Sequence, residues 1–329
     1  MNNSKERMWG HLAVVAATAM AVVAVAGCGS SGSSSTSGGS SATSGGSSAT
    51  SGGSSSPTSG KSSAISVDPA ARALVPASIK STGTLTVASD ASYPPFEFIA
   101  SDGHTVVGSD ADLAKALAQV LGLKANVINV TFDAIIPGLA AGKYDMSASG
   151  FGDTVQREKA VNFVDYGHYY ESLFTKSSGG TVVTSMAGLC GKSVAVEATT
   201  LEQSDAQAQS KKCTAAGKAS VKVLVYPTQT AANLALLSGR AQLGFADSPT
   251  VSYEVKQTHG QVKIVGQGPV ASSGAYGLVF PKNSTLDKAV KVALLDLMKH
   301  GQYQAIYKHW GIVSTEIPAS KVKINGAAS

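Results

Sequence analysis

The chain has 329 residues, 43% hydrophobic, 14% charged and 6% aromatic, with 35 glycines against 11 prolines, a balance that describes a globular body carrying an unusual appendage. Lysine and arginine total 26 and aspartate and glutamate 21, a formal charge of +5, scattered rather than gathered into the basic patch that a nucleic-acid binder needs. One apolar run, at the extreme N-terminus, is long enough to enter a bilayer, which excludes a polytopic channel or transporter.

Residues 1–27 read as an export signal. Lys5 and Arg7 form a basic region, Leu12 to Val25 an apolar one, and Val25-Ala26-Gly27-Cys28 leads through small residues into a cysteine. This stretch resembles a bacterial lipoprotein signal, which implies cleavage before Cys28 and lipid on its sulfur and on the new amino terminus. The alternatives are an ordinary secretory signal or an uncleaved anchor. More than one acyl chain is needed for a stable hold on a bilayer.

Residues 28–66 read as the lipidated cysteine and a linker. From Gly29 to about Ser63 the chain is almost wholly Ser, Gly, Thr and Ala, and the heptapeptide beginning at Thr36 recurs at Thr43 and, nearly, at Thr50. Such a segment cannot bury a core. About 35 residues of flexible coil have a reach of about 30 to 35 Å, enough to let a captive globule sample orientations at a membrane. With Cys28 assigned to lipid, Cys190 and Cys213 remain as an even pair in an exported domain, read most simply as a disulfide, with two buried thiols as the alternative.

Strands and helices alternate through the rest. Thr84 to Ala88 reads as a strand, and Asp110 to Leu121 as a helix with Leu113, Leu117 and Val120 on one face and Gly122 as its stop. A helix around Ile135 to Ala141 and a strand near Asp145 to Ser149 follow. After Gly180 the rhythm restarts, with strands at Ser193 to Val196, Val221 to Tyr226 and Gln242 to Ala246 and a helix at Thr230 to Leu237. Two such series imply two α/β lobes. Asn283 or Ser284 is expected to cap a last amphipathic helix from Leu286 to Met298, ended by Gly301.

Signatures of catalysis are mostly missing. Gly188-Leu-Cys-Gly191-Lys192-Ser193 ends like a phosphate-binding loop, but its first glycine is replaced by Met186. No H-E-x-x-H occurs, the six histidines are dispersed, and no G-x-S-x-G lies in the folded region. No catalytic residue, metal or cofactor is assigned.

What the sequence offers instead is polar and aromatic residues at strand ends and helix starts, where α/β folds place ligands. Asp90-Ala-Ser-Tyr93-Pro-Pro-Phe96-Glu-Phe98, Gly108-Ser-Asp110-Ala-Asp112-Leu-Ala, Phe132-Asp133-Ala-Ile-Ile-Pro137-Gly-Leu and Asp153-Thr-Val-Gln-Arg157-Glu-Lys stand in that order. Gly191-Lys-Ser-Val-Ala-Val, Gly239-Arg-Ala-Gln-Leu-Gly-Phe-Ala-Asp247 and Ile306-Tyr-Lys-His-Trp310-Gly complete the series. From about Leu85 to Gly311 this resembles the polar amino-acid-binding proteins of ABC importers, bacterial solute-binding protein family 3.

The resemblance implies a two-lobed periplasmic-binding-protein-like fold of type II, with two crossing segments and the ligand between the lobes. Lobe 1 would comprise residues 67–170 and 273–317, lobe 2 residues 171–272, and a C-terminal tail residues 318–329. It further implies that Arg157 takes the ligand's α-carboxylate, with Thr200 facing it from a helix start, and that Asp247 accepts from the α-ammonium. Tyr93 and Phe132 would sandwich the side chain, Asp90 and Glu197 approach its distal end, and Ser149 and Gly150 complete the wall. A guanidinium gives a carboxylate the two-pronged contact that an ammonium cannot. Each role has a plainer reading: a surface arginine for Arg157, a helix cap for Thr200 or Asp247, core packing for the aromatics.

Two carboxylates facing two aromatics favour a cationic tip, so a basic amino acid (lysine, arginine, ornithine or histidine) is expected. The implied partners are a free amino acid, a membrane permease, and the bilayer through the lipid, for an extracytoplasmic monomer at the outer face of the cell membrane; no nucleic acid is expected. A dehydratase-like enzyme, with Glu197 or Asp153 as general acid, and a sensor module are the alternatives. The chain departs from the family pattern at Gly152, where a hydroxyl-bearing residue is usual, at Asp153, at Gln242, and at Thr199-Thr200-Leu201, where a glycine-containing turn is usual.

Overall fold

The computed structural model describes residues 64–269 and 274–328, so the export signal, Cys28 and the linker up to residue 63 lie outside the described residues. The described chain opens with two short helices. Asp68 caps α1 (Pro69–Leu74) by accepting from the Ala70 and Ala71 N–H groups, and α2 (Ala77–Thr82) stops at Gly83, whose φ of 66° is open to glycine at little cost. Then come β1 (Thr84–Ser89), β2 (Ser92–Tyr93), β3 (Glu97–Ile99), β4 (Val106–Val107), α3 (Ser109–Val120), β5 (Lys124–Asn129), α4 (Phe132–Ala140), β6 (Met146–Ser147), α5 (Val155–Glu158) and β7 (Val161–Tyr169). The second series is β8 (Glu171–Lys176), β9 (Ser193–Glu197), α6 (Leu201–Ala215), β10 (Lys222–Tyr226), α7 (Gln229–Leu237), β11 (Leu243–Asp247), α8 (Ser248–Gln257) and β12 (Val262–Gln267). It ends with β13 (Gly274–Pro281), α9 (Leu286–Lys299) and α10 (Gln302–Trp310).

These elements build two mixed sheets of the same plan. The first has the order β5-β1-β6-β13-β7 and the second β10-β9-β11-β8-β12. In each, the strands that precede helices run parallel: β1 with β5 and β6, β9 with β10 and β11. In each, the strands that adjoin a crossing run antiparallel. The chain leaves the first sheet at Tyr169 and enters the second at Glu171, and it returns between Gln267 and Gly274. That double passage makes the molecule two-lobed, with lobe 1 drawn from both ends of the described chain. A three-stranded sheet, β2-β3-β4, is added to lobe 1 between β1 and α3. Its short, irregular strands carry too little alternation to be legible as strands beforehand.

Lobe 1 is closed by helices whose apolar faces follow the helical repeat. In α3, Leu113, Leu117 and Val120 are buried, and in α9 the series Leu286, Ala289, Val290, Ala293, Leu294 and Leu297 is buried almost completely. The cap of α9 differs from expectation. Thr285 holds the cap position without a side-chain bond, and the Ser284 hydroxyl accepts from the Leu286 N–H at 3.2 Å.

Lobe 2 has its own core of Leu173, Val194, Val196, Leu243 and Phe245. Helix α6 is the exception to the amphipathic rule, burying only Glu202, Ala206 and Cys213 along 15 residues. Such a helix has little apolar face to hold it, so it is fastened at its ends. The C-terminal half is tied down by the Cys190–Cys213 disulfide, Cα atoms 5.5 Å apart, which joins it to the turn before β9. For a sequence separation of 23 residues the chain-entropy cost of losing this link is about 3 kcal/mol. A Cys190→Ser, Cys213→Ser double variant should therefore unfold at clearly lower urea concentration than the oxidised wild type, and reductant should lower the wild-type midpoint alone. Coincident curves for all samples would count against this fastening.

Candidate functional site

A narrow cavity of about 20 Å³ lies between the lobes, room for about one water molecule, so the walls must part to admit a larger guest. Its wall includes Asp90, Tyr93, Phe132, Ser149, Gly150, Arg157, Glu197, Thr200 and Asp247. The nine ligand-site candidates named from sequence thus converge on one space, although they come from positions up to 157 residues apart and from both sheets.

Each is set there by a local structural reason. Asp90 directly follows β1, and its Oδ2 accepts the Phe132 N–H at 2.8 Å, serving the first turn of α4, whose own cap residue Thr131 turns its hydroxyl to Asp133 and makes no capping bond. Asp247 follows the same logic in lobe 2, at the end of β11 and the start of α8, but makes no capping bond there. Its carboxyl is left facing the cavity, so capping does not account for it. Thr200 does cap: it starts α6, its hydroxyl donating to the Glu197 carbonyl at 2.9 Å and accepting from the Gln203 N–H at 3.2 Å. The hydroxyl of Ser149 donates to Glu97 at 3.1 Å and accepts from the Asp90 N–H, and the Gly150 N–H donates to Asp110 at 2.9 Å. Ser149, Gly150 and Thr200 therefore wall the cavity with donors already engaged inside the protein.

Arg157 closes the floor. Its guanidinium stands over the Phe151 and Phe132 rings, 5.0 and 5.7 Å from their centroids. One nitrogen donates to the Gly152 carbonyl at 2.8 Å and the other to the Thr199 carbonyl of lobe 2 at 3.0 Å. Two of five N–H donors are used in this way, leaving three for a guest. Burial lowers its pKa from the ordinary value, yet a guanidinium stays charged at any working pH. The lobes also meet where the Asp247 N–H donates to the Tyr93 oxygen at 2.9 Å, and where the Gln229 N–H donates to the Ser92 hydroxyl at 3.2 Å.

The electrostatics are one-sided. Asp90, Glu197, Glu202 and Asp247 all line the cavity and are buried. The ion pairs among the described residues, His104–Asp102, Lys115–Asp112 and His300–Asp296, are elsewhere. Asp90 and Glu197 face each other from opposite lobes, and Glu202 adjoins Asp247. Burial raises all four carboxyl pKa values, and for Glu197 and Asp247 the next cause is the neighbouring carboxylate. One oxygen of Glu197 and one of Asp247 have no hydrogen-bond partner. Such atoms call for a donor, and a cationic one serves best.

Sequence reasoning overlooked Glu202, Tyr169 and Leu201, which also line the cavity. Glu202 had a signal: it lies in the first turn of the helix opened by Thr200, where Cβ vectors tilt toward the N-terminus and the cleft. Leu201 explains a departure from the family pattern. A Cβ on Gly152 would lie 2.7 Å from Leu201 Cδ1, so the missing hydroxyl-bearing side chain and the leucine occupy the same space. Asp153, considered above as a general acid, is not in the cavity wall.

A family model described as bacterial extracellular solute-binding proteins, family 3, matches residues 85–313. The chain belongs to that family. It is 34% identical over 245 residues to the arginine-binding protein ArgT of Corynebacterium glutamicum, covering 74% of this chain and 79% of that protein. It is 31% identical over 224 residues to ABC transporter arginine-binding protein 1 of Escherichia coli, covering 67% and 87%. Among solved structures, an ancestral arginine-binding protein bound to arginine superposes with a TM-score of 0.62 at 36% identity, covering 69% of this chain and 98% of the other. Membership makes this an extracytoplasmic amino-acid-binding component of an ABC importer, which hands its ligand to a permease.

Two predictions come from this geometry. Thr199 has a φ of 63°, a region costly to a β-branched residue, and the turn holds it there with its carbonyl on Arg157. Thr199→Gly should stabilise the protein by about 0.5 to 1 kcal/mol, the left-handed penalty less the entropy of glycine; an unchanged or lower urea midpoint contradicts this. Behind the cavity, burial pushes Asp110 and Asp165 up to about 6 and Asp153 up to about 8. A folded-state pKa above the unfolded value means protons are bound preferentially by the native state. The stability they contribute is complete below about pH 4 and is lost as pH rises through about 6 and 8. The ligand-free protein should have its denaturation midpoint at higher urea at pH 5 than at pH 8.5, and the opposite order would refute the assignment.

Proposed function

We propose that this protein captures an amino acid with a cationic side chain, arginine foremost, outside the cytoplasmic membrane and delivers it to its permease. The observation that carries the reading is the set of four buried carboxyl groups around a cavity with one guanidinium. Arginine brings one negative and two positive groups, so each of its charges finds groups of opposite sign on that wall, two carboxyls to each cation. Its α-carboxylate would lie on the three free N–H donors of Arg157, and its α-ammonium between Asp247 and Glu202. The guanidinium would lie between Asp90 and Glu197, its stem flanked by Tyr93 and Phe132. The names of the Corynebacterium and Escherichia coli relatives support the same ligand.

The charge arrangement also supports ligand-driven closure. Bringing Asp90 of lobe 1 against Glu197 of lobe 2 with nothing between them costs desolvation and repulsion, and a cation placed between them reverses the sign of that contact. Closure is then favoured by ligand because the closed state gains far more from it than the open one. We further read the protein as a binder and not an enzyme, since its relatives are named for binding and the wall carboxyls are matched to holding charge. Lipid on Cys28, the tether of residues 29–63 and a monomeric body complete the proposal, placing capture within a leash length of the permease.

Calorimetric titration of the twenty amino acids and ornithine tests this. Arginine should bind in the micromolar range or tighter, which needs about 8 kcal/mol and hence several charged contacts acting together. Glu197→Gln should weaken arginine about 10- to 100-fold, the value of one charge-assisted contact, while improving glutamine relative to arginine. Arg157→Ala should abolish binding of every amino acid. Tightest binding of glutamate or a branched-chain residue, or an indifferent Glu197→Gln, would sink the reading.

A further inference from the structure

The family match ends at residue 313, yet the described chain continues to residue 328 and does not hang free. Strand β7 is the edge of its sheet, and its outer hydrogen-bonding groups are taken up by this C-terminal segment. Ile324 bridges Val164 in antiparallel fashion, the Asp165 N–H donates to the Lys323 carbonyl at 2.9 Å, and the Asn325 N–H donates to the Phe163 carbonyl at 3.1 Å. Asn325 has a φ of 54°, which turns its side chain back so that Oδ1 accepts the Phe163 N–H at 2.9 Å. Val322 is buried in the lobe 1 core.

Beyond this, the segment reaches the turn that carries Arg157. The Ala327 N–H donates to Glu158 Oε1 at 3.0 Å and to Asp153 Oδ2 at 3.3 Å. These two carboxyls bracket α5, immediately before its cap Thr154 and at its last residue, and both are less than 8% exposed. Asp165 adjoins Asp153 from β7, and a Cβ on Gly326 would overlap the Asp165 carboxylate and oblige it to turn aside. The three acids are not arranged to hold a metal ion.

We propose that residues 322–327 are a positioning strap that fixes the Arg157 turn by adding to the edge of β7 and bonding the two carboxyls on either side of it. This rests on the reading that Arg157 receives the ligand's carboxylate. A four-residue helix such as α5 has no internal stability, so what sets the guanidinium's position is what its flanks are tied to. The side of Arg157 facing the cavity is fixed by Gly152 and Thr199, and its outer side by the strap. The link is also sensitive to protons. Burial, then the Asp165 and Glu158 carboxylates, push Asp153 up to about 8. The other charges facing the cluster are Lys323 of the strap, Lys291 of α9, Lys282, whose ammonium donates to the Glu158 carbonyl, and Arg157 itself. Losing the proton above that value puts one more negative charge into the cluster and onto the turn.

The test compares L-arginine binding by the full chain and its variants, by calorimetry, with urea denaturation alongside. Ala327→Pro removes the N–H that donates to both carboxyls. It should raise the Kd about 5- to 30-fold, while Ala327→Gly, which keeps the N–H, should bind as the wild type does. Between pH 7 and 9, the wild type should lose more affinity than Asp153→Asn, which cannot ionise there. If Ala327→Pro lowers the urea midpoint but leaves the Kd within twofold, the segment is structural only and the proposal fails. If Ala327→Pro does not fold, Asp153→Asn decides alone, and a pH profile superimposable on that of the wild type overturns the strap. A wild type that binds no amino acid would instead overturn the functional reading and remove the strap's purpose with it.

Discussion

Burying carboxylates without cations is the constraint on which the rest of this molecule depends. A single buried carboxylate is normally neutralised by a proton, a partner or a metal, because its desolvation far exceeds any other local energy. Here Asp90, Glu197, Glu202 and Asp247 share one cavity with Arg157, and the arrangement persists because the fold holds the pieces on rigid, separately packed elements. Each carboxyl stands at the C-terminal end of a parallel strand or in the first turn of the helix that follows. In an α/β lobe those ends are where backbone hydrogen bonding is incomplete and a polar side chain costs the least core. The two-lobed plan duplicates that edge and turns the copies toward each other, so neither lobe alone carries the full charge density.

The wall is backed by a second layer that keeps it in place. Ser149 and Gly150 look like ligand contacts in the sequence, but their donors point inward to Glu97 and Asp110, the acidic residues of the motifs around Phe96 and Gly108. Asp110 in turn accepts from the Tyr166 hydroxyl at 2.6 Å. These motif acids are therefore buttresses: they fix the loop that follows β6, and through it the height of the cavity wall beneath Tyr93. In lobe 2 the equivalent duty falls on the left-handed Thr199, whose strained backbone turns its carbonyl onto Arg157 just before α6 begins.

The sequence made most of this legible, and the limits have physical causes. The strands and helices of both lobes follow apolar periodicity with glycine stops, because one buried face per element is enough to specify them. The lobe boundaries expected at 170/171 and 272/273 came only from the resemblance, since a change of sheet leaves no periodic trace; the chain changes sheet at Tyr170 and between Gln267 and Gly274. Motif order named nine candidates, and the structure gathers them around one cavity, yet what their polar atoms do was not readable. Whether a serine hydroxyl or a glycine N–H faces a ligand or a buried carboxylate is decided by residues 40 to 52 positions away. Glu202 was missed because an acid in a helix's first turn has an ordinary explanation in the helix dipole. The C-terminal segment was missed for the opposite reason: apart from the Asn325 amide and the buried Val322, its contacts are made by backbone groups, to which composition is blind.

Selectivity under the proposed reading follows from where the charge lies. A hydrophobic pocket distinguishes a methylene by about 1 to 3 kcal/mol, whereas a site built to receive donors penalises any ligand that leaves its acceptors bare. Glu197 Oε1 is such an acceptor, buried and without a partner. A neutral amide reaches it with two weak donors, an ammonium with one charge at one point, and a guanidinium with a planar fork wide enough to touch carboxylates on both sides. Asp90 and Glu197 lie on opposite lobes, so the ligand that spans them also joins the lobes, and the preference for a guanidinium over an ammonium becomes a preference for the closed state. Affinity, selectivity and the signal that a permease reads are then one free-energy difference, set by how many donors the ligand's tip can present in a plane.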